Sequence, residues 1–162
     1  MVRSVLERSL VKTPLIFFAE HDAPLVTGPV IDWNLIDEVL SSEQAKIVRF
    51  YYFEKLILPE HAHLFHGSFR LPSNSDVEFV RTTQYSGWPH VTTTENMRNL
   101  ISRFSPFRGK DTVLETCLYS PVEQAPWEEF KVVIYAPAGN MQRFWHSNGR
   151  GEGSERDEVD WG

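Results

Sequence analysis

Short apolar runs alternate with polar stretches along this chain, and the spacing within each run predicts an element. Leu15-Ile16-Phe17-Phe18, bounded by Pro14 and charged residues, reads as a buried strand. Ala23 to Pro29 carries two prolines and a glycine and reads as a loop. From Asp32 to Leu40, Trp33, Ile36, Val39 and Leu40 recur at helical spacing. Ser41 and Gln44 stand at capping-box spacing and predict a second helix from about Glu43 to Leu56, with Ile47, Val48, Tyr51, Tyr52 and Lys55 along it. Pro59 ends that helix. His63 to Phe69 alternates loosely and reads as a strand, as does Val77 to Thr82. Thr92 and Glu95 repeat the capping-box spacing ahead of a helix from about Thr94 to Phe104, whose buried stripe is Met97, Leu100, Ile101 and Phe104. After a turn at Phe107 to Lys110, Thr112 to Tyr119 is rich in β-formers, and Lys131 to Ala136 is the strongest strand in the chain.

Helices early, strands late and one helix between them predict an α+β fold: N-terminal helices followed by a mainly antiparallel sheet with one intervening helix. From Gly149 glycines and charges dominate, so residues 1–148 read as a single domain and 149–162 as a flexible acidic tail.

Composition supports a packed domain: 41% of residues are hydrophobic, 23% charged and 13% aromatic. The net charge of −6 disfavours binding to phosphate backbones, and Arg98, Arg103, Arg108 and Lys110 read as a solvated helix face. One cysteine, Cys117, sits in a strand-like apolar run and reads as a small buried residue of a reducing compartment. Met1 to Leu15 lacks the pattern of a secretory signal, and no run of about eighteen apolar residues suits a membrane span. The expectation is a cytoplasmic protein without membrane or nucleic-acid contacts.

Three groups of residues suggest chemistry. Leu64-Phe65-His66-Gly67-Ser68 is an apolar strand ending in a His-Gly pair, where the missing Cβ permits close ligand approach and the imidazole offers hydrogen bonds. Gly87-Trp88-Pro89-His90-Val91-Thr92-Thr93-Thr94 runs into a helix, and Glu155-Arg156-Asp157-Glu158-Val159 follows near the end. In this order the motifs resemble the ADP-ribosyltransferase superfamily between Leu64 and Val159. The resemblance implies that His66 and Gly67 hold the nicotinamide or its ribose and that Thr92 orders the site. It also implies that Tyr85 or Trp88 stacks on the ring. Glu158, with Glu155 near it, would then stabilise positive charge as nicotinamide leaves. NAD would be the substrate of mono-ADP-ribosyl transfer to a macromolecular target, with no metal.

The other two groups point elsewhere. His61 and His63 stand two residues apart, on one face of a strand, where both imidazoles can reach one metal ion with Glu60. Together with Pro137-Ala138-Gly139, His146 and Asn148 they resemble the metal motifs of the cupin barrels. His66 would lie on the opposite strand face, so the two site readings exclude each other. Trp88, Trp127, Trp145 and Trp161 all fall in polar, loop-like sequence, where an exposed tryptophan anchors a partner protein. That pattern predicts a non-catalytic interaction module. Cys117 has no positioned base, and Glu128-Glu129 reads as an exposed turn.

Overall fold

A computed structural model describes residues 11–19, 23–26, 30–51, 59–104, 114–139 and 142–144. The described residues form a mixed α+β fold around a six-stranded sheet. Its strands are β1 (Leu15–Phe18), β2 (Ile47–Arg49), β3 (Phe65–Leu71), β4 (Asn74–Thr82), β5 (His90–Thr93) and β6 (Val132–Pro137), in the order β1-β5-β2-β6-β4-β3. Every pairing is antiparallel except β2 with β6. The helices are α1 (Trp33–Ser41), α2 (Thr94–Phe104), α3 (Leu114–Gln124) and α4 (Trp127–Phe130), with a 3₁₀ turn at Pro59–Leu64.

Successive strand residues point to opposite faces, so neighbouring residues on β2 and β6 enter different cores. Val48 and Val133 pack with Leu35, Ile36 and Val39 of α1. Ile47 and Val132 pack with Leu100 of α2, Leu118 of α3 and Phe130 of α4. The sheet is thus covered by α1 on one face and by α2 and α3 on the other, while α4 at the sheet end gives Phe130 to the second core and Trp127 to the first.

On the α1 side a row of aromatic rings crosses four neighbouring strands. Phe69 of β3 stands opposite Phe79 of β4, which stands opposite Tyr135 of β6. Their rings touch in sequence, Phe69 and Phe79 stacked at 5.5 Å and Phe79 and Tyr135 edge-on at 6.1 Å. Phe50, just beyond β2, continues the row 5.9 Å from Tyr135. Trp33 and Phe17 close it, each 5.9 Å from Phe50 and from each other.

Several elements depart from what the sequence suggests. The chain enters the described fold on a strand and carries three helices after β5, so helices do not simply precede one sheet with a single helix between strands. β1 is an edge strand, and its Phe17 is 40% exposed rather than buried. Over its described part, residues 43–51, the helix expected from Glu43 to Leu56 does not form, and Tyr52 to Leu56 lie outside the described residues. Ser42 ends α1, Glu43 takes φ 57, and Ile47–Arg49 is a fully buried strand. With both faces covered, that strand shows no polar alternation, and three apolar-rich residues fit either period. The described part of Thr112 to Tyr119 is not a strand: Leu114–Gln124 is helical, with Leu118 and Val122 four residues apart in the core, so Cys117 is half-buried on a helix. Glu128 and Glu129 belong to α4 rather than to a loop. The turn at Phe107 to Lys110 and the segment from Gly149 onward lie outside the described residues.

Phe79 is wholly buried in the middle of the aromatic row. Phe79→Ala should lower unfolding free energy by about 3–5 kcal/mol, whereas Phe17→Ala, at the exposed end, should remove roughly 1 kcal/mol. Urea unfolding of both variants checks this, and equal losses would show that the row is not the centre of the core.

Candidate functional site

The N-terminus of α1 is fixed over the sheet by its cap. Asp32 Oδ1 accepts from Leu35 N–H at 3.1 Å, satisfying one orphan amide of the first turn. The Asp32 N–H donates to the Tyr135 hydroxyl at 3.1 Å, which ties the helix start to the aromatic row. The β3–β4 hairpin closes with Pro72 and Ser73 between the paired Leu71 and Asn74. Two side-chain bonds hold it to α1: Asn74 Nδ2 donates to Asp32 Oδ2 at 3.2 Å, and Ser73 Oγ donates to Glu38 Oε2 at 2.6 Å. Asn74 Oδ1 also accepts from Asp76 N–H at 2.9 Å, so one amide side chain bridges Asp32 and Asp76.

These contacts frame a cleft of about 730 Å³ between α1, the start of β4 and the end of β6, within the size range of ligand-binding pockets. Val30, Trp33 and Pro137 give it an apolar wall, Tyr135 lies within it, and Asp32 and Asp76 supply the charge. Among the described residues no basic side chain lines it. The Asp76 carboxylate, unlike that of Asp32, carries no hydrogen bond or ion pair within the described residues. Val30 is 86% exposed and Trp33 46%, and Trp33 touches the half-exposed Phe17, so the apolar wall extends over the edge of the sheet.

A second polar group is sealed inside the protein. Arg49 of β2 and His90 of β5 are cross-strand partners and both are fully buried. The Arg49 guanidinium donates to the Gln84 carbonyl at 2.7 Å and to Ser86 Oγ at 2.6 Å, and lies 5.5 Å from the Trp88 ring. His90 Nδ1 is 2.8 Å from the Trp88 carbonyl, which can only accept, so the ring carries its proton on Nδ1 and Nε2 is a bare lone pair with no partner. Burial pushes the His90 pKa down to about 4, and the Arg49 charge adds to the fall against the raising pull of the Trp88 carbonyl. Burial likewise raises the Tyr51 phenol, while Arg49 draws it back. These groups pin the loop before β5 to β2.

The residues singled out by the transferase resemblance are spread across the sheet. His66 is exposed on β3, with Nε2 3.1 Å from Thr83 Oγ1, and Gly67 beside it takes φ 80. Thr92 lies on β5, fully buried. Its hydroxyl donates to the Lys46 carbonyl at 2.7 Å and accepts from Asn96 Nδ2 at 2.9 Å. The cap of α2 is Thr93, whose Oγ1 accepts from Asn96 N–H, rather than Thr92. Three strands, β2, β6 and β4, stand between His66 and Thr92, which places them roughly 19 Å apart in the pairing direction. Tyr85 and Trp88 are both buried, the first among Leu100 and Leu118, the second against Tyr51 and Phe144. Glu155 and Glu158 lie outside the described residues.

The histidine pair falls on the 3₁₀ turn, not on a strand. His63 is exposed, and among the described residues no three His, Cys, Asp or Glu side chains gather as a metal would require. His146 and Asn148 lie outside the described residues. Of the four tryptophans expected at the surface, Trp88 is buried and Trp127 half-buried with its Nε1 donating to the Val132 carbonyl, while Trp145 and Trp161 lie outside the described residues. Among the described residues the exposed tryptophan is Trp33, which the sequence grouped with Ile36, Val39 and Leu40 by helical spacing. The signal that could have found it is Asp32: a capping residue places the next side chain at the rim of the helix, not under its body.

Compared with known proteins, the chain matches no family model, no curated protein and no solved structure. Among the described residues no helix is long and apolar enough to cross a membrane.

The neutral, buried His90 ties stability to pH. Its folded pKa lies below the unfolded value, so the unfolded chain binds the extra proton as pH falls from about 6.5 to about 4, and stability drops through that window. The loss should approach roughly 3 kcal/mol and should be absent in His90→Asn, whose amide still donates to the Trp88 carbonyl. Urea unfolding of both proteins at pH 7 and pH 4.5 measures the difference. Parallel pH curves would show that His90 protonates as easily folded as unfolded.

Proposed function

We propose that this chain is a non-catalytic protein-interaction module, which takes a basic side chain of a partner segment into the cleft beside Trp33. The observation that carries the proposal is the joining of exposed Val30, Trp33 and Phe17 into one apolar surface around a cleft holding two carboxylates. Contiguous exposed apolar surface is what interaction sites retain, and a tryptophan at its centre is the commonest kind of anchor. The open Asp76 carboxylate supplies the counter-charge for a lysine or arginine, and the Trp33 indole offers a face to the same cation. The net charge of −6 favours approach of a basic partner.

The transferase reading asks for a different arrangement, a cleft in which His66, Thr92 and Glu158 converge on NAD. It draws its support from the motifs alone, since His66 and Thr92 stand on well-separated strands.

Selection of random twelve-residue peptides on the purified protein, followed by calorimetry, tests the binding reading. Enriched peptides should share a lysine or arginine next to apolar residues, and Trp33→Ala and Asp76→Asn should each weaken them by about tenfold or more. No enrichment, or affinities untouched by both substitutions, overturns the proposal. NAD⁺ titrated in parallel, with His66→Ala as the control, puts the transferase reading in front if it gives heat that the substitution abolishes.

A further inference from the structure

At the far end of β4 from that cleft, a second site is built around Arg81. Its guanidinium lies between two aromatic rings, 5.5 Å from the centroid of Phe69 on β3 and 4.8 Å from that of Trp127 on α4. Among the described residues it makes no hydrogen bond or ion pair, and its Nε is closed off from water without an acceptor. The nearest carboxylate along β4, Glu78, is three residues back on the opposite face, where it takes Ser68 and Arg70. The buried Nε is the costly part of this half-buried guanidinium, while its terminal N–H groups remain open to water and to a ligand.

The opposite strand is deformed at this same place. Phe65 pairs with Thr82 and Ser68 with Val80, so His66 and Gly67 together oppose Arg81 alone. That is a β-bulge, which turns a side chain out of the ladder, and Gly67 meets its geometry with φ 80, where a Cβ would be strained. His66 is the side chain turned out, and its Nε2 shares a proton with Thr83 Oγ1 at 3.1 Å. If the hydroxyl gives that proton, Nδ1–H is left over on the neutral ring. If Nε2–H gives it, the hydroxyl proton is left over. Either way the pair keeps a donor for a ligand, at the register position facing Arg81.

We infer that Arg81, His66 and Thr83 form a binding site for a phosphate group. A carboxylate has two oxygens and is satisfied by the guanidinium fork alone. A fork with further donors on the facing strand suits an anion with three oxygens to offer. The site is separate from the Trp33 cleft and stands or falls without it.

The test is a titration of ¹⁵N-labelled protein at constant ionic strength, reading the Arg81 Nε–H and Trp127 indole signals. Inorganic phosphate and phenyl phosphate are the probes and acetate is the control. Phosphate should give saturating shifts in the millimolar range, weakened about fivefold or more by Arg81→Lys, which keeps the charge and loses the planar fork. His66→Ala, on an exposed side chain, should weaken it as well and keeps the test decisive if Arg81→Lys fails to fold. Tighter binding of phenyl phosphate than of inorganic phosphate would identify an esterified ligand, and the reverse a free phosphate. No saturation with either probe, an equal response to acetate, or affinity unchanged in the folded variants overturns the site.

Discussion

The aromatic row from Phe69 through Phe79 and Tyr135 to Phe50 is the contact on which the rest of the molecule depends. Each ring comes from a different strand or strand end, so the row can form only when β3, β4, β6 and β2 are in register. A slip of one residue would turn every ring to the other face. Edge-on and offset packing adds to the area each ring buries, and the row therefore rewards one register above its neighbours. It also fixes the opposite layer, since the Tyr135 hydroxyl receives the Asp32 N–H and so sets where α1 begins.

Both surfaces with chemistry to offer lie at the ends of this row. At one end Phe50 passes contact to Trp33 and Phe17, the partly exposed rings beside the acidic cleft. At the other, Phe69 lies beside the Arg81 guanidinium. A row of packed rings is finished by whatever covers its last members. Here one end is left apolar and negative and the other carries a positive group. Burial in the middle and partial exposure at the ends follow from the same geometry.

The sequence made some of this legible and hid the rest for physical reasons. Helix α2 was readable because Met97, Leu100, Ile101 and Phe104 face a core on one side and water on the other, which is the condition for a clean 3.6-residue stripe. Strand β6 was readable from Val132-Val133-Ile134, a β-branched run too short for a buried helix. Strand β2 was not, because burial on both faces erases the alternation that distinguishes strand from helix. The cleft was invisible for another reason. Asp32, Asp76 and Tyr135 meet through the pairing of Val77 with Pro137 and the hairpin bond from Asn74, and no short motif records a contact between segments so far apart. His66 and Gly67 were singled out from a dipeptide, yet what gives them a shared position is the bulge opposite Arg81, a property of register.

The two arginines on neighbouring sides of β6 show how the same side chain is put to different uses. Arg49 is fully enclosed, and its terminal N–H groups reach a carbonyl and a hydroxyl of the loop that leads into β5. Its charge helps to hold His90 neutral, so the pair works as a pin between β2 and β5 and has nothing to offer a ligand. Arg81 is held as firmly, but by ring faces, which stabilise a guanidinium without using any of its N–H groups. The use of the terminal N–H groups among the described residues, rather than burial or charge, separates the structural arginine from the one placed to bind.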